Sequence, residues 1–505
     1  MALIELAIAN TRARLRAKDQ HVYGDVDKYL SFFSKVAPYQ YAYKVYLRDR
    51  DRARKEGRKP RGWNGMVNLL RQSDKSFPAG LTARVIKFLE EQGDEAVTYD
   101  RRILPNPHPK LSDGYIVGAT RDWQTEAFDS AKLYERGVFE AATGTGKTNL
   151  MAQIIAHHGQ PSLVLVHRST LAKQTLARFE SLIRFPHADN PFGMVGDGIW
   201  EPGLVTIATY QTLHSMLQND EKGTREWLRQ FKALHSDEAH HVPARTFFDL
   251  TNATEECYYR YGYSATPFKN DKETELKLVG VCGEVIYSYS AHDAIADGIL
   301  APPHIYVVDA DFKKLSKVDP IDQTYLGKFN EEYREGIVEH RERNKLLANI
   351  TEACAAAGLP TLVLVRQVKQ GKTIERLVDA SEFIWGKDAT AVRGDAKTRL
   401  VSGDLPVLIA STIFNEGEDI PAIGAIVIGG GYRAEHLAMQ TVGRGLRPAP
   451  GKKFVLVFDI WDGHSSRLER HSKSRVKAWR EAGFQVKIVT IEELEDLMDT
   501  KGFFG

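Results

Sequence analysis

The segment Ala141-Ala142-Thr143-Gly144-Thr145-Gly146-Lys147-Thr148 constrains this chain more than any other feature. It follows the apolar Gly137-Val138-Phe139 and precedes NLMAQIIAHH, so it reads as strand, tight loop, helix. The spacing is that of a phosphate-binding P-loop, with Ala141 in place of the first glycine. Gly144 and Gly146 let the backbone turn its N–H groups toward phosphate oxygens, with Ala142, Thr143 and Thr145 completing the cradle. Lys147 would reach the β- and γ-phosphates of a nucleotide, and the Thr148 hydroxyl would bind Mg²⁺. The helix that follows offers its positive N-terminal end to the anion.

From about residue 115 onward the same grammar repeats. Short, nearly continuous apolar runs at 162–167, 204–210, 231–240, 361–366, 405–412, 423–430 and 454–460 alternate with amphipathic stretches. Such runs suit parallel strands covered on both faces, and the alternation gives an α/β architecture. They form two blocks, one ending soon after 264–268 and one beginning near 340. The Pro302-Pro303 pair between them cannot continue a helix, and the region 296–312 reads as a junction. The first hundred residues differ, with an aromatic segment, a basic run and a helix whose apolar positions are Leu81, Val85, Phe88 and Leu89. The expected organisation is a small α+β domain over 1–105, then parallel-sheet domains over 106–298 and 299–505.

Ninety residues after the P-loop the chain reads LHSDEAHH. Adjacent carboxylates at the end of an apolar strand are costly unless a metal ion or water uses them. Asp237 would hold Mg²⁺, and Glu238 would polarise the water that attacks the γ-phosphate. A zinc site on His240 and His241 is the competing reading. Neighbouring histidines on a strand point to opposite faces and chelate one ion poorly, so no zinc is expected.

No stretch of ~18 residues is uninterruptedly apolar, so no membrane span is expected. The N-terminus makes a poor signal peptide, because Glu5 interrupts its apolar part and the basic residues follow it. Cys257, Cys282 and Cys354 lie far apart and form no CxxC pair, which fits a reducing cytoplasm. The net charge of +2 is uninformative, but the run from Lys44 to Arg61 is strongly basic. It reads equally as a phosphate-binding surface and as a solvated helix face.

The ordered motifs resemble those of the superfamily 2 helicases. The P-loop and DEAH stand for motifs I and II, and Gln124 in RDWQTEAF resembles the upstream glutamine near the adenine. VHRSTLAKQ (166–174) resembles motif Ia, which places Arg168 and Gln174 near a nucleic-acid backbone. TIATYQTL (206–213) resembles motif Ib, with Thr209, Tyr210 and Gln211. Ser264-Ala265-Thr266 resembles motif III. IASTIFNEGEDIP (409–421) resembles motif V, with Thr412 toward nucleic acid and Gly417 and Asp419 toward the nucleotide. The stretch 440–447 matches the QxxGRxxR of motif VI through Gln440, Arg444 and Arg447.

The resemblance implies two RecA-like domains in tandem behind the N-terminal domain, with ATP and Mg²⁺ at the first. Within the superfamily, GWNG (62–65), the FPAGL helix start, DEAHH and HSKSRVKAWREAGFQVKIV are similar to the UvsW-type phage helicases and the XPB branch. Asn64 departs from the aromatic–Asp–Gly turn of that group. The branch implies a cytoplasmic motor on single-stranded, forked or branched DNA, with 3′-to-5′ polarity, in recombination, repair or replication restart. Trp63 would be a stacking platform at a junction, or else ordinary packing. Three other readings are a restriction translocase subunit, a DEAH-type RNA helicase and an ATP-switched clamp. The first needs a nuclease, for which Glu275 and Lys277 offer only a superficial pattern. The second lacks the extended C-terminal domains of its kind, and the third conflicts with an intact Glu238 and motif VI.

Overall fold

Apolar runs separated by helices give two parallel sheets in this computed structural model, as their burial on both faces requires. The structure describes residues 3–500 and 503, apart from 243, 269–270, 316–324, 412–421, 432–441, 444 and 450–451. The chain divides into two units: Met1–Ala141 with Gly146–Ser288, and Ala142–Thr145 with Tyr289–Gly505.

The first unit opens with a small sheet of β1 (Leu3–Ile8), β2 (Arg12–Arg16), β3 (Ser76–Pro78) and β4 (Glu95–Asp100), in the order β3-β2-β1-β4. β1 runs antiparallel to β2 and parallel to β4. Three helices accompany it: α1 (Gln20–Tyr29), α2 (Tyr41–Lys55) and α3 (Thr82–Glu91). Helix α2 stands apart, because Ala53 alone of its fifteen residues is buried.

The larger sheet of this unit has eight strands: β5 (Arg136–Ala141), β6 (Ser162–Val166), β7 (Phe192–Gly196), β8 (Ile199–Glu201), β9 (Val205–Thr209), β10 (Ala233–Asp237), β11 (Tyr259–Ser264) and β12 (Val285–Tyr289). Their order is β8-β7-β9-β6-β10-β11-β5-β12. From β7 through β5 each neighbouring pair is parallel, and β8 alone turns back antiparallel on β7. Every residue of β6 and β9 is buried, which accounts for their continuous apolar character. Helices α4 (Asp122–Leu133), α5 (Lys147–His158), α6 (Ser169–Leu182) and α7 (Lys272–Cys282) belong to this unit.

The first 105 residues share a core with α7. Leu276 and Val279 belong to the same apolar cluster as Ile4, Leu6, Phe77 and Val85. Gly80 lies so close to α7 that a Cβ there would fall 1.9 Å from the Val279 carbonyl oxygen. Arg84 clamps the junction, bonding both carboxylate oxygens of Glu284 and, at 2.7 Å, Glu275. Glu275 and Lys277, weighed above as a nuclease pattern, are held in separate ion pairs, to Arg84 and Glu273.

The second unit holds a seven-stranded sheet of β13 (Pro303–Asp309), β14 (Thr361–Val365), β15 (Ser381–Ile384), β16 (Val407–Ser411), β17 (Ala425–Ile428), β18 (Val455–Ile460) and β19 (Gln485–Thr490), in the order β15-β16-β14-β17-β18-β13-β19. All its neighbours are parallel. The segment read as a junction therefore contains a strand. Pro303 is its first residue, a place where a missing N–H costs the ladder little. Helices α8 (Arg341–Ala356) and α9 (Ser466–Glu481) pack on this sheet. Between them lie two fully buried ion pairs, Arg343–Asp462 and Arg475–Asp459, both at 2.7 Å.

Candidate nucleotide site and nucleic-acid face

Parallel strands place all their C-terminal ends on one edge of a sheet, where α/β proteins gather their ligands. The registers Asp237–Tyr263, Ser264–Glu140, Thr209–Val166 and Ser236–Leu165 bring the motif-bearing ends of β5, β6, β9, β10 and β11 to that edge. Sequence motifs spread over more than a hundred residues thus share one place in the fold.

The P-loop turns on two glycines in the left-handed region, Gly144 at φ +87° and Gly146 at φ +102°. The buried Thr145 donates its hydroxyl to the Ala142 carbonyl at 2.8 Å. Lys147 opens α5 and donates from Nζ to the Ala141 carbonyl at 3.0 Å, with Thr148 beside it in the first turn. Gln124 is buried on α4. Its carbonyl accepts from the Arg121 N–H at 3.0 Å, and its amide donates to the Gly146 carbonyl at 3.1 Å.

Asp237 ends β10, and one of its oxygens accepts the Glu238 backbone N–H at 3.0 Å. Glu238 itself sits at φ 46°, ψ 54°, a left-handed conformation that costs a non-glycine residue about 1–3 kcal/mol. That turn aims its carboxylate back toward the loop side of the sheet. Burial, then the adjacent Glu238 charge, pushes the Asp237 carboxyl above the usual range. Burial acts on Glu238 in the same direction, but the His240 ring, Lys147 and His241 outweigh it and hold that carboxyl low. Glu238 Oε2 lies 3.3 Å from His240 Nδ1 without hydrogen-bond geometry.

His240 also bonds Ser264 Oγ at 3.2 Å, and the Thr266 N–H donates to the same hydroxyl at 3.2 Å. The SAT segment is thereby tied to the acidic turn. From the sequence, His240 is weighed only as a zinc ligand, that reading is rejected, and no other role follows for it. The signal missed there is position: two residues after Glu238, a short 3₁₀ turn returns the ring to the carboxylate.

The nucleic-acid candidates of this unit fall into two groups. Arg168 caps α6, and the Gln211 amide donates to the His167 carbonyl at 2.8 Å, so the two segments read as motifs Ia and Ib are bonded together. Gln174 is exposed on α6. Thr209 is buried and donates to the Thr212 hydroxyl at 2.8 Å, and Tyr210 packs on Phe247 at 4.9 Å. Thr209 and Tyr210 are therefore engaged inside the protein, whereas Gln174 faces outward. In the N-terminal segment, Trp63 donates its indole N–H to the Met66 carbonyl at 2.7 Å, and its backbone N–H bonds Ala42 O at 3.1 Å. The ring is half-buried, and it braces the GWNG turn against the start of α2.

Residues 118–269 match the family model of the type III restriction enzyme res subunit. The chain is 22% identical to the ATP-dependent DNA helicase uvsW of Enterobacteria phage T4, over 85% of this chain and 90% of that protein. It is 24% identical to the DNA 3'-5' translocase XPB2 of Sulfurisphaera tokodaii, over 73% of this chain and 87% of that protein. Among solved structures, a putative HsdR subunit of a type I restriction enzyme from Vibrio vulnificus matches with a TM-score of 0.52 at 17% identity, covering 90% of this chain and 84% of that one. The chain is thus similar to ATP-dependent DNA helicases and translocases, in line with the superfamily 2 order of motifs in its sequence.

Of the residues read as motifs V and VI, Thr412, Gly417, Asp419, Gln440 and Arg444 lie outside the described residues. Arg447 is described. Within that unit it stands beside Gly144, where a Cβ would meet its Cγ at 3.1 Å. Among the described residues no helix is long and apolar enough to cross a membrane.

Proposed function

We propose that this superfamily 2 protein is an ATP-driven DNA motor, a helicase or translocase that moves 3′ to 5′ on forked or branched DNA in recombination, repair or replication restart. The observation that carries the reading is the meeting of Gln124, Lys147 and the Asp237–Glu238 pair at one sheet edge, with the motif Ia and Ib segments bonded together on the same edge. The names of its relatives supply DNA and the polarity.

ATP is the substrate. The P-loop N–H groups and Lys147 bind its phosphates, and Gln124 holds the loop in shape for them. Glu238, kept ionised by its cationic neighbours, accepts a proton from the attacking water. Arg444 and Arg447 stabilise charge on the transferring phosphoryl group, an effect worth roughly 10³–10⁵ in rate in other NTPases. The residues also fit Mg²⁺. Two carboxylates are buried side by side, and one Glu238 oxygen accepts no hydrogen bond, a donor set that suits a hard cation in addition to Lys147. Thr148 and Asp237 would hold it, and it would neutralise phosphate charge.

Residues 1–105 act as an accessory DNA-binding domain, 106–298 and 299–505 as the two motor domains, in the cytoplasm of a bacterium or of a phage-infected host. The exposed Lys44–Arg61 run and the Trp63 turn contribute contacts to forked DNA. The test is ATPase stimulation by single strand, duplex, fork, four-way junction and RNA side by side, followed by fork unwinding with each polarity of overhang. Stimulation by forked DNA with unwinding from a 3′ overhang is the expected result. Stimulation by RNA alone would replace the DNA reading.

A further inference from the structure

The motor motifs leave one surface of the second unit unexplained. Helix α9 buries Leu468, His471, Ser472, Arg475, Val476, Ala478 and Trp479 against its sheet. Between Arg467 and Arg480, its exposed positions are Arg470, Lys473, Lys477 and Arg480, and every one is cationic. Their spacing of three, four and three residues puts them on one face. At 1.5 Å per residue the stripe runs for about 15 Å.

Part of this charge is compensated. Lys473 pairs with Glu469 at 2.7 Å, and Lys477 lies 3.6 Å from Glu481. Arg470 donates only to the Ser466 carbonyl, at 3.3 Å. Among the described residues neither Arg470 nor Arg480 meets a carboxylate. A solvated helix face accounts for the two lysines and leaves the two arginines over.

The second observation is a hollow of about 430 Å³ beside the stripe. Trp461, Val476 and Ile488 give it an apolar floor, and Lys473, Lys477 and Arg480 form its rim together with Glu481, the partner of Lys477. Ile488 is 43% exposed, on the edge strand β19. Trp461 follows directly on β18, its backbone fixed by a 2.9 Å bond to the Val308 carbonyl. An aromatic floor with three cations against one carboxylate on its rim holds a flat base by stacking and its phosphate by net positive charge.

We propose that α9 and this hollow form a nucleic-acid site separate from the motif Ia and Ib face. A single strand lays its phosphates along Arg470, Lys473, Lys477 and Arg480 and places an unstacked base over Trp461. The proposal rests on the nucleic-acid reading above, and charge complementarity selects the occupant. An acidic peptide would satisfy the rim but has no flat apolar group for the floor.

The test uses the full-length protein and an oligo-dT carrying 5-iododeoxyuridine, crosslinked by light and mapped by mass spectrometry. A crosslink in the peptide containing Trp461 is expected. In parallel, the R470A/K473A/K477A/R480A variant is titrated with oligo-dT over a salt series. The slope of log affinity against log salt should fall by roughly 0.7 for each phosphate that the variant no longer neutralises, about 2–3 in all, with affinity down roughly ten-fold or more. ATPase without nucleic acid should be unchanged, which verifies the fold. Where the variant does not fold, the crosslink on the wild type decides alone. Crosslinks confined to the first unit, or an unaltered salt slope in a folded variant, overturn this site and leave the motor reading standing. A wild-type protein that binds no oligo-dT and gains no ATPase from nucleic acid overturns both.

Discussion

The side-chain amide of Gln124 donates to the Gly146 carbonyl across 3.1 Å, so a helix that precedes the sheet holds the phosphate loop that follows its first strand. The Gln124 side chain is buried, the bond itself is partly so, and the Gln124 carbonyl is separately anchored on the Arg121 N–H. Loss of one neutral hydrogen bond of this kind costs about 1 kcal/mol, or roughly five-fold in an equilibrium constant. Gln124→Ala should raise KM for ATP by about that factor while kcat changes less. Steady-state ATPase kinetics check it, and an unaltered KM would separate Gln124 from the nucleotide.

Lys147→Ala should abolish hydrolysis and unwinding, because the γ-phosphate is left without its cationic partner. Near wild-type ATPase in the folded variant would remove the P-loop assignment. Glu238→Gln should still bind ATP, and turnover should fall by about 10²–10⁴, since the amide cannot accept the proton of the attacking water. Normal turnover would require another base.

Arg444→Ala and Arg447→Ala should lower kcat with little effect on nucleotide affinity, as expected for groups acting on the transition state. Binding of a fluorescent ATP analogue alongside ATPase rates separates the two effects. Loss of DNA affinity alone would move both arginines to the nucleic-acid path.

The first 105 residues should not come away without cost. Their removal uncovers Leu276 and Val279, both buried in the shared cluster. A gentler probe is Gly80→Ala, whose Cβ would meet the Val279 carbonyl at 1.9 Å. Overpacking of this sort costs about 1–3 kcal/mol. In a domain of this size each kcal/mol lowers Tm by roughly 2–4 °C. Calorimetry should show the transition of the first unit shifted down, and an unshifted transition would mean that the two parts slide apart freely.

Acid should weaken the first unit through His158. Its ring stacks on Tyr259 at 3.8 Å, and its Nε2 bonds the Tyr261 hydroxyl at 3.1 Å. Burial, aided by His157, pushes its pKa down to about 3 from an ordinary 6.5. The unfolded chain therefore binds the proton first. The stabilising contribution is complete above pH 6.5 and is lost as pH falls toward 3, by at most about 1.4 kcal/mol per pH unit. His158→Gln keeps a donor for Tyr261 and should flatten the fall of Tm between pH 6 and pH 4. An unchanged slope would assign the acid sensitivity elsewhere.

The glycine turn and the paired carboxylates were legible because their chemistry leaves little choice. Close backbone turns need Gly144 and Gly146, and a buried pair such as Asp237 and Glu238 has few uses. The parallel strands were legible for the same kind of reason, since burial on both faces demands unbroken apolar runs. Three things were not. β13 hid behind Pro302 and Pro303, because a proline that starts a strand looks like one that breaks a helix. The shared core of the N-terminal residues and α7 joins positions some two hundred residues apart, and no local pattern encodes such a pairing. The contact of His240 with Glu238 and Ser264 was not foreseen, because β10 ends at Asp237 and the ring returns on a 3₁₀ turn where strand alternation no longer applies.

Helix α2 meets the rest of the fold along a narrow strip: Ala53 is its one buried residue, Tyr43 packs on Phe33, the Trp63 N–H bonds the Ala42 carbonyl, and a bidentate Asp49–Arg58 pair closes its far end onto itself. A core residue is chosen by its neighbours, and a change there is felt throughout a domain. The outward residues of α2 carry no such obligation. Exchanges among them leave the packing of the domain untouched, so this is the stretch of the chain that can be rewritten while the rest keeps its shape.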